Sequence, residues 1–94
     1  HIPSRIQELT GITDEMVATA PPFADIAKEF DSFSAGAIFV AHNVNFDYQF
    51  LVQEFRRAGG SYRRATLCTC QSARRLLPRQ ESYSLKSLCR TLSI

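Results

Sequence analysis

The residues of this chain whose types and spacing point to chemistry lie in one stretch, Val40-Ala41-His42-Asn43-Val44-Asn45-Phe46-Asp47, continuing to Phe50-Leu51. Asp47 is the candidate catalytic group, because a carboxylate placed just beyond a strand can hold a hard divalent cation. Such cations choose carboxylate oxygens and water, and a cation held there can activate water and polarise a phosphate. The competing reading of Asp47 is an ordinary acid in the first turn of a helix, where it favours the helix dipole. His42 stands at the strand end, where a lone histidine is more often a satisfied structural residue than a ligand.

Two elements must position these side chains. Ala37 to Ala41 form a short apolar run behind Gly36, with the length and residue types of a buried strand. The following segment, from about Asn45 to Ala58, carries Phe46, Phe50, Leu51 and Phe55 at helical spacing and stops at Gly59-Gly60. At about 100° per residue, Asp47, Leu51 and Glu54 share one side of that helix, while Phe46 and Phe50 share an adjacent one. The expectation is that Asp47 faces a crevice while Phe46, Phe50 and Phe55 anchor the helix on the sheet. Open α/β sheets place their ligand crevice just outside the carboxyl ends of the strands.

The flanks read as further short elements. Thr13 with Asp14-Glu15 behind it makes an N-cap and acidic first turn of a helix that Pro21-Pro22 closes, and Pro22 suits the first turn of the next. That next helix bears an apolar stripe of Phe23, Ile26, Ala27, Phe30 and Phe33. Ala65 to Cys68 read as a short strand, after which Thr69 is placed to cap a helix stopped by Pro78. Ser82 or Ser84 caps the last helix, striped by Leu85, Leu88, Cys89 and Leu92. Strand–helix–strand–helix alternation favours an α/β fold with parallel pairing.

Ninety-four residues make at most one small domain. Hydrophobic residues form 45% of the chain, with seven Phe, which favours a folded chain over a disordered one. There is no membrane-spanning run and no secretory signal pattern, so the expected setting is cytoplasmic, without a membrane partner. Cys68, Cys70 and Cys89 make no Cys-x-x-Cys and read as reduced, partly buried thiols. The net charge of +2 hides an asymmetry: residues 1–54 hold eight acids and two bases, and residues 55–94 hold one acid and nine bases. The pairs Arg56-Arg57, Arg63-Arg64 and Arg74-Arg75 can meet phosphate oxygens if they share a face. Solvated helix surfaces explain them equally well. Tyr48, Tyr62 and Tyr83 offer rings for base stacking, although packing in the core or at its rim is the commoner use.

The stretch from Val40 to Asp47 with Phe50-Leu51 resembles the second motif of the DnaQ-like 3′–5′ exonucleases. Ile6-Gln7-Glu8-Leu9-Thr10-Gly11-Ile12-Thr13 resembles the loop and helix start ahead of that motif in the same family. With Ala20-Pro21 and Tyr83-Ser84-Leu85, the likeness runs along essentially the whole chain. The resemblance implies a ribonuclease H-like α/β exonuclease fold and a metal-dependent enzyme that hydrolyses phosphodiester bonds at nucleic-acid 3′ ends, in DNA proofreading or repair. It implies two Mg²⁺ or Mn²⁺ ions in the complete domain, with Asp47 as one of the metal-binding acids. On the substrate side it implies Asn43 near the backbone and metal, Phe46 beside the terminal nucleotide, and Leu9 of Leu9-Thr10 wedged against the terminal base. His42 falls in the same group by its place in the motif. The implied partners are a single-stranded 3′ end, DNA in the first instance, and a DNA polymerase subunit.

The family's pattern has four acids drawn from three motifs, plus a His or Tyr that handles the nucleophilic water. No Asp-x-Glu lies on a leading apolar strand here, and no His-x-x-x-x-Asp follows Ile94; Glu8, Asp14 and Glu15 stand in other contexts. Residues 1–94 are therefore expected to be the middle portion of an exonuclease domain, without its leading strands and C-terminal motif. Alone, the segment is expected to be inactive and to self-associate through bare sheet edges. Two other readings stand beside this one: a non-catalytic module that binds nucleic acid or a polymerase, and an exoribonuclease using the same carboxylates.

Overall fold

The computed structural model describes all residues, 1–94. Its elements run α1 (Ser4–Thr10), α2 (Asp14–Ala18), α3 (Phe23–Phe33), β1 (Phe39–Ala41), α4 (Val44–Arg57), β2 (Thr66–Cys68), α5 (Thr69–Leu76) and α6 (Leu85–Thr91). β1 and β2 pair in parallel, Phe39 opposite Thr66 and Ala41 opposite Cys68. Parallel neighbours cannot be joined by a tight turn, so the chain crosses over through a helix. That helix is α4, which packs on both strands. The unit β1–α4–β2 is the parallel α/β arrangement that the alternation of elements implies.

Local signals set most of the boundaries. The Thr13 hydroxyl accepts the Met16 N–H at 3.2 Å, with Asp14 and Glu15 in the first turn of α2. Gly11 ends α1 at φ 75° and Gly59 follows α4 at φ 87°, both left-handed conformations that side chains resist. Ser84 caps α6 by accepting the Ser87 N–H. Pro22 is the N-cap residue of α3, one position ahead of its first turn. The expected Thr69 cap is absent: Thr69 is the first residue of α5, Cys68 precedes it, and no side chain caps that end.

Packing departs from the apolar stripes in instructive ways. Helix α4 is anchored by Val44, Tyr48, Leu51 and Phe55, one face at successive intervals of four, three and four residues. Phe55 stacks on Tyr62 with ring centroids 4.6 Å apart and meets Phe23 edge-on at 5.1 Å. Phe46 and Phe50, expected to anchor α4, do not: they are 69% and 59% exposed and lean on each other at 5.1 Å. Tyr48 takes the inward place because its hydroxyl finds a partner, the Arg64 N–H at 3.0 Å. The strand at 37–41 shortens to Phe39–Ala41 and is not buried throughout. Side chains alternate across a strand, and only the α4 face is covered, so Val40 is 52% exposed. Likewise the α3 stripe narrows to Phe23, Ala27 and Phe30, leaving Ile26 and Phe33 outside.

Only seven of the 94 residues are buried, and the radius of gyration is 16.3 Å. A compact domain of this length measures about 12–13 Å. Part of the difference lies in residues 1–20, which hold no buried residue and make no hydrogen bond to the rest of the chain.

Candidate metal and nucleic-acid site

The turn from β1 into α4 is two residues long, and both have specific work. The His42 ring is fixed from both sides, with Nδ1 2.9 Å from the Thr69 hydroxyl and Nε2 2.6 Å from the Tyr83 carbonyl oxygen. A carbonyl only accepts, so Nε2 carries a proton and donates, while Nδ1 shares a hydrogen bond with the Thr69 hydroxyl. His42 is thus held by protein partners at both nitrogens, the structural use that a lone histidine at a strand end favours. Thr69 spends its hydroxyl here rather than on the end of α5. Asn43 then adopts φ 61°, ψ 57°, a left-handed conformation that Asn tolerates better than most residues. This sharp reversal starts α4 immediately after the strand and leaves the Asn43 side chain without a hydrogen bond to the protein.

One turn later, Asp47 projects from α4. It is exposed, and its carboxylate makes neither a hydrogen bond nor an ion pair within the chain. By helical angle it lies between the anchored face of Val44, Leu51 and Phe55 and the exposed Phe46–Phe50 ridge. Structure thus brings His42, Asn43, Phe46 and Asp47 together at the carboxyl end of β1. Leu9, 81% exposed, and Thr10 belong to α1, apart from these four in sequence. The Thr10 hydroxyl is spent locally, donating to the Ile6 carbonyl and accepting the Ile12 N–H.

A fit to a divalent cation can be tested on the ligands at hand. No group of three or more His, Cys, Asp or Glu side chains gathers anywhere in the chain. Hard cations need several oxygen ligands, so Asp47 fits as one ligand and not as a complete site. Of the other first-half acids, Glu54 pairs with Arg57 at 3.1 Å and Asp31 with Arg64 at 2.7 Å.

The basic half is partly consumed by structure. Arg64 bonds Asp31 and the Ser34 carbonyl and sits 4.3 Å from the centre of the Tyr62 ring; Arg74 lies over Tyr83 at 5.2 Å. Tyr62 and Tyr83 are accordingly packing residues, the latter donating to the Leu77 carbonyl at 2.8 Å. Cys68 and Cys70 are buried free thiols, and Cys89 is half-buried. The Cys68 thiol is held below the usual thiol range. The Gln71 N–H contributes most and the Val44 N–H next; burial pulls the other way and is outweighed, with Asn43 and Cys70 N–H groups adding to the lowering.

Sequence reasoning named Arg75 only within a basic pair and overlooked Gln71 and Ser72, which share with it the face of α5 that looks toward the β1–α4 turn. Gln71, Ser72 and Arg75 line a cavity there together with Asn43 and Asn45. The available signal was the polar spacing of Gln71 and Arg75, four apart and off the apolar stripe of Cys70 and Ala73.

Comparison with known proteins settles the lineage of this β1–α4 arrangement. The family model described as Exonuclease matches residues 1–94. The chain belongs to the exonuclease family. Its fold is therefore the ribonuclease H-like α/β fold of that family, which the parallel β1–α4–β2 unit fits. A DNA polymerase III PolC-type protein of Oceanobacillus iheyensis is 43% identical over 90 residues, 93% of this chain and 6% of that protein. The DNA polymerase III subunit epsilon of Aquifex aeolicus is 37% identical over 90 residues, 93% of this chain and 44% of its own length. The 3′-5′ exonuclease DinG of Bacillus subtilis is 37% identical over 94 residues, 99% of this chain and 10% of that protein. The chain thus spans less than half the length of each of these relatives. No helix of this exonuclease-family chain is long and apolar enough to cross a membrane.

Proposed function

We propose that this chain is the middle portion of a metal-dependent 3′–5′ exonuclease domain and contributes Asp47 as one of its metal-binding carboxylates. The observation that carries this reading is the free, exposed Asp47 carboxylate in the first turn after β1, in a chain of the exonuclease family. Asp47 would supply an oxygen ligand, with water and carboxylates outside residues 1–94 completing the shell. A bound cation would activate water and stabilise the leaving oxygen. The chain's own residues orient and bind: His42 fixes the strand end, Asn43 presents a free amide beside the backbone, and Phe46 offers an exposed ring to the terminal nucleotide. Leu9, 81% exposed, would press on the terminal base; Thr10 follows it in the same segment.

The names of the relatives support DNA as the substrate, 3′–5′ polarity, and a replication setting with a DNA polymerase as partner. The test is Asp47→Ala in the full-length protein, assayed on a single-stranded DNA 3′ end with Mg²⁺ or Mn²⁺. Losing a ligand should exceed the roughly 10–100-fold cost of losing an outer-shell partner. Activity within a few-fold of wild type would overturn the assignment. Matched DNA and RNA oligonucleotides separate the deoxyribonuclease from an exoribonuclease.

A second reading, a non-catalytic module that binds nucleic acid or a polymerase, draws on the lack of any three-ligand cluster within the chain. Full-length protein that binds DNA yet shows no metal-dependent hydrolysis would favour it.

A further inference from the structure

The cavity between the β1–α4 turn and α5 has no part in the reading above, apart from sharing Asn43. Its volume is about 370 Å³, against about 30 Å³ for one water in the liquid. Six polar residues line it, Asn43, Asn45, Thr66, Gln71, Ser72 and Arg75, and none of their side chains makes a hydrogen bond or ion pair to the protein. No acidic residue lines it. An arginine without a carboxylate repels a cation and suits an anion, and its planar fork matches phosphate oxygens. The amides and hydroxyl around it supply neutral donors of the kind that hold a phosphate without reading a base. The Cys68 thiol on the cavity wall already reports an environment that favours negative charge, through the converging N–H groups of Val44 and Gln71.

We propose that this cavity is a phosphate subsite, in which Arg75 with Gln71, Ser72, Asn43 and Asn45 holds a backbone phosphodiester of the nucleic-acid strand. The site rests on the reading that the protein acts on nucleic acid; it adds a contact on α5, away from the Asp47 carboxylate. Its function is to position the strand, independent of sequence.

The test uses the full-length protein in EDTA, so that a fluorescein-labelled single-stranded oligodeoxynucleotide stays intact. Arg75→Gln should weaken binding several-fold and reduce the slope of log affinity against log salt by about 0.7, the value for one phosphate contact on a single strand. Arg63→Gln removes the same charge at an exposed residue outside the cavity and should weaken binding less. Saturating oligonucleotide should also slow alkylation of Cys68 by iodoacetamide several-fold, leaving Cys89 unaffected, and Arg75→Gln should abolish that protection. Protection by the oligonucleotide but not by an equal concentration of inorganic phosphate identifies the strand as the source of the anion. Equal effects of Arg75→Gln and Arg63→Gln, or Cys68 alkylation unchanged by bound oligonucleotide, would overturn the subsite. Wild type that protects Cys68 but never hydrolyses DNA with Mg²⁺ supports the subsite and fails the exonuclease reading. Hydrolysis without protection overturns the subsite alone.

Discussion

Nε2 of His42 donates to the carbonyl oxygen of Tyr83 at 2.6 Å, joining two points 41 residues apart. The bond ties the end of β1 to the loop ahead of α6, and the Thr69 hydroxyl on the opposite ring nitrogen ties both to the start of α5. Three segments that carry no shared apolar stripe are thereby fixed around the turn that launches α4. The position of Asp47 depends on that turn, since it follows His42 by only five positions.

His42→Ala should accordingly destabilise the full-length protein by about 1–3 kcal/mol, the range for leaving buried hydrogen-bonding partners unsatisfied. Thr69→Val removes one arm of the same bridge. Because both act through one ring, the two losses should add to more than the double variant shows, with a coupling of about 0.5 kcal/mol or more. Urea midpoints of the four proteins measure this. Strict additivity would mean that the ring is not shared.

Arg64 offers a second prediction. Its guanidinium meets Asp31 Oδ1 at 2.7 Å, the Asp31 carbonyl at 2.8 Å and the Ser34 carbonyl at 2.9 Å, and its side chain is 14% exposed. Arg64→Ala should lower stability by about 2–3 kcal/mol, a charge-assisted network being lost from a partly buried site. Arg64→Lys should recover less than half of that, because an ammonium group has no planar fork to span α3 and lies poorly on the Tyr62 ring. Equal denaturation midpoints for the Lys variant and wild type would remove the structural role and return Arg64 to the pool of basic residues available to phosphate.

These residues show where the sequence is legible. The Thr13 cap, the Gly59 termination and the span of α4 depend on neighbours within a few positions, and pattern reading finds them; helix α1, which ends at Gly11, escapes it, Ile6 to Thr13 reading as a loop and helix start. The rim of the candidate site was legible for the same reason, since His42, Asn43, Phe46 and Asp47 are consecutive or nearly so. What escaped is decided at a distance. Helix α4 has apolar residues around more than half its circumference, so periodicity alone cannot choose between a Phe46–Phe50 face and the Tyr48–Phe55 face that meets the sheet. The choice rests on Tyr62 and Arg64, which lie beyond the end of the helix. Thr69 matches a capping pattern, yet His42, 27 residues earlier, claims its hydroxyl. Arg63 and Arg64 look alike as a pair, and only the return of the chain past Asp31 distinguishes them.

Cys68 supplies a prediction with a definite sign. Backbone N–H groups from Gln71 and Val44 lower its pKa in the folded chain, whereas the unfolded chain leaves the thiol at its ordinary value of about 8.5. Between those two values the unfolded state binds the extra proton, so stability must rise with pH across that window. The contribution is fully present above the unfolded value and is lost as pH falls through the folded one. Cys68→Ser, which has no thiolate to stabilise, should flatten that rise while leaving any contribution from other groups. Urea midpoints of wild type and Cys68→Ser, compared from neutral pH to pH 9.5, test the linkage. The rate of iodoacetamide alkylation of Cys68, followed by mass spectrometry, should reach half its limit at lower pH than that of free cysteine in the same buffer. A Cys68 half-point at or above that of free cysteine, with parallel stability curves for the two proteins, would show that the two helix starts exert no such pull on the sulfur.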